Sequence, residues 1–440
     1  MPSLFTTYNC DKKFRLNSCI SGKNNTMKKK LLTISTSAFS IIKFSNCQIF
    51  KLKIRLFIIG ILVLHQISTF AQDSSHIKIS LLTCTPGAEL YSTFGHTAIR
   101  ITDSTSLTDY VFNYGTFNFN DPGFYTKFIR GKLMYYLSTE NFQSDENNIG
   151  FRDQYKLENR GITEQVLNLT ANEKTTLMHA IYNNAKDENK FYKYDFFLDN
   201  CTTRTRDMLM KYKARQPDFK PVMPAGTRFR QAIHQYLDLN NKYWSKLGID
   251  LLLGAPTDAV MTTAQSQFLP DNLMISFDSS NSNHQLILSS TNLYPVARED
   301  NKSSFFTPMI VFSLLLIVIV GFSFSTNKWV KQFLQGFDGL FFLFTGAMGI
   351  LLVFMWAGTD HSMTKNNYNL LWAWPINVIA AFFVTSKNKW ASKYFGLCAL
   401  LLTLVLLSWF FLPQQLNKAL IPIVLLLIFR SARKYIAPVY

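Results

Sequence analysis

The chain has 440 residues, enough for two or three domains, and carries a net charge of +17. Hydrophobic residues make up 48% and charged residues only 17%, with 39 phenylalanines, an apolar excess that argues against an ordinary soluble protein and for a membrane part. The positive charge is crowded near the N-terminus and beside apolar C-terminal segments, where membrane topology accounts for it. There is no zinc-type cysteine spacing, phosphate-cradling glycine loop or RNA-binding signature, so neither nucleic-acid binding nor a metal or cofactor is expected.

In chain order, Lys51, Lys53 and Arg55 precede the apolar run 56–64, and Thr69-Phe70-Ala71 places small residues where a signal peptidase reads. Residues 1–71 therefore read as a leader, cut after Ala71 or retained as an anchor. From 72 to 304 the composition is that of a soluble α+β domain. A strand at 77–82 leads through a Pro-Gly turn into a second strand that begins at His96. The turn at 103–109 folds Val111-Phe112-Asn113-Tyr114 back against it, which brings Asn113 toward the imidazole. The aromatic stretch 117–136, with Lys127, Arg130 and Lys132, reads by default as core and beside a membrane as a lipid-facing lip.

Thr170-Ala171-Asn172-Glu173 matches a capping box ahead of a helix with Leu177, Met178 and Ile181 on its apolar face; His179 on that helix reads as a bystander. The aromatic run 191–197 feeds into Asp199-Asn200-Cys201-Thr202-Thr203-Arg204. Asn200 or Asp199 can cap a helix starting at Cys201, where the positive end of the backbone dipole favours a thiolate. Arg204, one turn on, has Asp207 or a phosphate as its expected partner. Further helices are expected over 227–239 and 258–267.

Of six cysteines, Cys10, Cys19 and Cys47 fall in the leader and Cys398 in an apolar segment. Cys84 and Cys201 remain for the exported domain. They are either joined in a disulfide, as in a structural scaffold, or free, with Cys201 as a nucleophile activated by His96, since such pairs meet in space and not along the chain.

Apolar segments at 305–324, 337–358, 370–384, 394–412 and 419–429 predict about five transmembrane helices over 305–440. Lys328 and Lys331 follow the first, Lys387, Lys389 and Lys393 the third, and Arg430, Arg433 and Lys434 the fifth. The intervening loops are poorer in Lys and Arg, so the soluble domain lies on the outer side of the membrane. One outward loop, 358–369, carries Asp360 and His361 ahead of the interfacial Trp372 and Trp374.

The motifs Thr85-Pro86-Gly87-Ala88-Glu89-Leu90-Tyr91-Ser92-Thr93-Phe94-Gly95-His96-Thr97-Ala98, Asp199-Asn200-Cys201-Thr202-Thr203-Arg204 and Thr359-Asp360-His361 ahead of Leu370-Leu371-Trp372 together resemble the Lnb family of Bacteroidetes lipoprotein N-acyltransferases. The resemblance covers nearly all of the chain after the leader. The His-before-Cys order is also similar to that of the circularly permuted papain-like (NlpC-like) proteins. The resemblance implies Cys201 as nucleophile, His96 as base and Asn113 as an orienting group, with Tyr91, Asn200, Arg204 and His361 as candidate substrate-binding residues. It further implies a phospholipid acyl donor and a diacylglyceryl lipoprotein acceptor; oligomeric state is not legible. The alternative for the same residues is a membrane-anchored amidase or peptidase acting on peptidoglycan.

Overall fold

The computed structural model describes residues 76–280, 285–295 and 305–436, which belong to one compact unit. The leader and its expected cleavage site lie outside the described residues. A seven-stranded antiparallel sheet organises the first part: β1 (Ile77–Cys84), β2 (His96–Asp103), β3 (Thr108–Thr116), β4 (Met134–Asn141), β5 (Ile162–Leu167), β6 (Phe191–Lys193) and β7 (Ile287–Tyr294), in the order β6-β4-β3-β2-β1-β5-β7.

β1 is buried on both alternating sets because both faces of the sheet are covered. On one face Leu82, Cys84, Ala98 and Val111 pack with Phe142 and Phe151. On the other, Leu81, Ile99 and Phe112 meet Leu177, Leu209 and Phe277 from helices. The helices of this part are α1 (Phe124–Ile129), α2 (Phe151–Leu157), α3 (Ala171–Asn184), α4 (Cys201–Lys211), α5 (Phe229–Leu239), α6 (Tyr243–Leu252), α7 (Thr263–Ser266) and α8 (Pro270–Asp278). α3 carries the capping box between Thr170 and Glu173, and His179 on it is exposed.

The helix expected over 258–267 is not continuous. Residues 255–258 form a 3-10 turn, Val260 makes a β-bridge with Arg228, and only Thr263–Ser266 is helical. The cause is Arg230. Its fully buried guanidinium bonds Asp258 (3.0 Å), Asp250 (2.7 Å), Thr257 and the carbonyls of Leu253 and Gly254, drawing 250–258 into a wrap around one charge.

The second part contains α9 (Pro308–Phe322), α10 (Lys328–Ala357), α11 (Asn377–Ala380), α12 (Lys389–Ser408) and α13 (Ile421–Ile436). α10 and α12 are long and apolar enough to cross a membrane. At 30 residues α10 spans about 45 Å, more than a bilayer core of about 30 Å. The third segment, expected as a span over 370–384, is broken into a 3-10 turn Tyr368–Leu371, α11 and a 3-10 turn Ala381–Phe383. Pro375 removes a donor in its middle, and one side of the irregular backbone packs closely on Gly346 and Gly349 of α10, with Asn377 bonded to Thr345 and to the Tyr394 hydroxyl. Among the described residues the second part therefore has four continuous helices and one broken one.

Arg430 and Lys434 also differ from expectation. α13 runs past them to Ile436, and both turn inward onto Asp338 of α10, at 2.6 and 2.7 Å, instead of lying in a loop.

The two parts are riveted together by polar loop residues. Asn367 and Asn369 donate to carbonyls of α6, Gln414 donates to the Leu253 carbonyl, and Asn417 donates to Asp250 at 2.8 Å. Each bond satisfies a carbonyl or carboxylate withdrawn from water, so the interface is fixed by the donor count as well as by packing.

Candidate active site

Cys201 is the first residue of α4, and its placement follows from Asn200. The Asn200 Oδ1 accepts from the N–H groups of Thr202 and Thr203, both at 2.9 Å, while the Thr203 hydroxyl accepts from the Asn200 N–H, closing a capping box. Its Nδ2 donates to the carbonyls of Phe196 and Phe268, also at 2.9 Å. Asp195 closes the preceding turn by accepting from the N–H groups of Phe197 and Leu198. A buried Thr97–Thr202 hydroxyl contact of 3.1 Å pins the start of α4 to β2, next to His96.

The imidazole is held from the other side. Asn113 on β3 places Oδ1 3.1 Å from His96 Nε2, and Asn113 Nδ2 donates to Glu140 on β4. This assigns the Nε2–H tautomer or the imidazolium and leaves Nδ1 for the thiol. The β3–β4 register shifts between Asn113 and Thr116, at Gly115, whose φ is +91°. A Cβ on Gly115 would make only ordinary contact with Cys201 Cβ, at 3.5 Å, so it is the positive φ of the bulge that favours glycine beside α4. Gly95, with φ +82°, makes the turn into His96; a Cβ there would come within 2.7 Å of the Cys84 carbonyl.

Burial alone would raise the Cys201 thiol, but the His96 charge, a hydrogen bond from His96 and the Thr97 backbone N–H outweigh it, and the net direction is down. Burial would likewise lower His96. The Cys201 charge and the hydrogen bonds to Cys201 and Asn113 reverse that and hold it above its ordinary value. Each group thus favours the charged form of the other. Cys84, opposite His96 in the sheet register, behaves differently: burial pushes its thiol up to about 12, and both Cys84 and Cys201 are free.

Cys201 and His96 open on a cavity of about 690 Å³. Phe94, Phe117, Tyr194, Phe196 and Phe268 dominate its walls, and residues 360–364 close one side. That side comes from the outward loop after α10. Ser362 donates to Asp195 at 2.5 Å, Asp360 pairs with Lys193 at 2.7 Å, and His361 Nε2 meets the Ile129 carbonyl at 3.1 Å.

The other sequence candidates fall into place around this cavity. Tyr91 stands at its mouth, 75% exposed. His361 borders it, with one ring nitrogen engaged by backbone. Asn200 borders it too, but its amide is consumed by the four bonds above, which makes it a cap and brace with no polar atom left for a ligand. Arg204 is not at the cavity. It pairs with Asp199 at 2.7 Å and stacks 3.7 Å over Tyr192, while Asp207 is taken by Arg206. Sequence reasoning missed Glu140, Asp195 and Ser362. Each is a lone polar residue in an ordinary stretch, and only the fold gives it a partner. Among the described residues no cluster of His, Cys, Asp and Glu suits a metal ion.

Fold and cavity define a two-part protein whose sheet-and-helix domain shares this pocket with a loop of an apolar helical part. Residues 66–232 match the Lnb N-terminal periplasmic domain and residues 300–439 the Lnb transmembrane domain, and the chain belongs to the Lnb family. It is thus a lipoprotein N-acyltransferase-like membrane protein with a periplasmic and a transmembrane domain. No curated protein and no solved structure matches it.

Proposed function

We propose that this protein is a thiol-dependent lipoprotein N-acyltransferase of the bacterial inner membrane, with a permuted papain-like domain over 72–304 and a multi-pass domain over 305–440. The observation that carries this reading is the charge-coupled Cys201–His96 pair on an apolar cavity walled partly by a membrane loop. The cavity lies within the roughly 300–1,000 Å³ range of small-molecule sites, and its aromatic lining suits acyl chains better than a polar wall polymer.

In the first half-reaction the Cys201 thiolate attacks an ester carbonyl of a phospholipid. The tetrahedral intermediate collapses to a thioester, and the imidazolium gives its proton to the departing lysophospholipid oxygen. In the second, the neutral α-amine of a diacylglyceryl-cysteine lipoprotein attacks the thioester. His96 takes the amine's proton, and the thiolate leaves as the amide forms. The Cys201 N–H, in the first helical turn where no intrahelical acceptor exists, is the candidate oxyanion donor. Asn113, braced by Glu140, holds the ring plane through both steps.

Wild type and Cys201→Ala, each expressed in a strain lacking lipoprotein N-acylation, should differ by one acyl chain on the N-terminal lipopeptide in mass spectra. A free amine in both, with altered muropeptides in the wild type, would overturn the transferase in favour of a cell-wall amidase.

A further inference from the structure

The stretch 117–136 is only in part the buried core that its aromatic content suggests by default. Phe124 is buried and anchors α1, and Leu133 is buried behind it, yet Phe119, Tyr125, Phe128, Ile129 and Met134 are all between 45% and 76% exposed. On a soluble surface so many contiguous large apolar side chains would be a liability. Lys127, Arg130 and Lys132 are interspersed with them, Lys127 being paired with Asp121. Alternation of exposed aromatic and basic side chains is the composition of a segment lying in the headgroup–acyl boundary.

The depth at which the stretch sits is fixed by two bonds. α10 ends at Ala357, and within four residues the chain meets the C-terminal end of α1: the Asp360 N–H donates to the Arg130 carbonyl at 2.9 Å, and His361 contacts the Ile129 carbonyl. The lip therefore stands where α10 leaves the apolar layer. Other interfacial aromatics mark the same kind of boundary: Trp356 in the last turn of α10, and Trp244, whose indole N–H donates to the Phe306 carbonyl just before α9. Phe128 is half exposed and also lines the cavity, so one side chain connects the outer surface to the chamber that holds Cys201.

We infer that the lip 119–134 dips into the outer leaflet of the membrane and is the port through which a phospholipid acyl chain passes from the bilayer into the cavity. Phe119, Tyr125 and Ile129 sit among the acyl chains, Arg130 and Lys132 meet headgroup phosphates, and Phe128 forms the threshold. The port rests on the acyltransfer reading only for what happens to the chain once inside; its contact with lipid does not require catalysis.

The test separates the two. A benzophenone amino acid is placed at Tyr125, at Phe128 or, as a control, at the exposed Leu107 of the β2–β3 turn. The full-length Cys201→Ala chain is then irradiated in phosphatidylethanolamine–phosphatidylglycerol nanodiscs. Phospholipid adducts at 125 and 128 and none at 107 are expected. Absence of adducts at 125 and 128, or equal labelling at 107, overturns the port whatever the activity of the wild type. Adducts at 125 and 128 with a wild type that transfers no acyl chain would sustain the port and overturn the proposed reaction.

Discussion

Replacing Asn200 by alanine separates the structural from the ligand-binding role of that residue. The side chain makes four bonds, each 2.9 Å: two accepted from the first turn of α4 and two donated to the carbonyls of Phe196 and Phe268. Loss of an N-cap costs about 1 kcal/mol. Each carbonyl that loses its donor in a dry site adds about 1 kcal/mol at the lower end of the range. The sum is about 3 kcal/mol, which for a domain of this size corresponds to roughly 6–12 °C in melting temperature. Asn200→Asp should do no better. It keeps the cap but turns a buried carboxylate toward two carbonyl oxygens, which repel it. The assay is thermal unfolding of full-length protein in detergent, followed in parallel with the rate of Cys201 alkylation, which should fall as the α4 start loosens. If Asn200→Ala melts within about a degree of wild type and loses only affinity for lipid, the cap-and-brace assignment is wrong and Asn200 is a ligand contact.

Four further outcomes follow from the structure. His96→Ala removes the charge and the hydrogen bond that hold the Cys201 thiol down while its burial remains, so the pH limb of iodoacetamide alkylation should move from below the ordinary thiol value of about 8.5 to above it; coincident limbs in the two proteins would refute the pairing. Asn113→Ala frees the imidazole to rotate and should lower kcat by about a hundredfold with little change in KM, the cost of mispositioning a reacting group. Glu140→Gln, which leaves Asn113 in place, should cost much less, and an equal loss would make Glu140 a proton carrier. Arg230→Ala removes the cation shared by the buried Asp250 and Asp258, leaving Asp250 only its bonds to His234 and Asn417, at about 3–5 kcal/mol, and should deplete folded protein in expression and protease-protection assays.

What the sequence made legible depends on whether a residue's role is local or assembled. Asn200-Cys201 reads as a capped helix start because cap and helix are neighbours along the chain, and the β2–β3 turn reads from Asp103, whose carboxylate accepts from the Thr105 N–H two residues on. From that turn alone the pairing of Ile99 with Phe112 follows, and with it the placement of Asn113 near the start of β2. Arg204 misled for the same reason in reverse. An (i, i+3) partner at Asp207 is the local expectation, but the turn at 195–199 folds Asp199 back within 2.7 Å, and the ring of Tyr192 offers a second surface that no helical spacing encodes.

The broken third segment shows where composition fails altogether. Residues 370–384 are apolar enough for a span, and hydropathy averages over the feature that decides, which is whether Pro375 and Asn377 have protein or lipid beside them. With Thr345 and the Tyr394 hydroxyl within hydrogen-bonding distance, the Asn377 side chain is satisfied by protein at the start of the short α11, and the segment can break beside Pro375. Ahead of that bend, the loop 359–369 that follows α10 runs against the soluble domain, where Ser362 reaches Asp195 and Asn367 and Asn369 reach α6. A straight five-helix bundle would need no such contacts. Here the loop that closes the cavity is fastened to the turn that carries Cys201, so the depth of the thiol relative to the membrane surface is set by hydrogen bonds between the two domains.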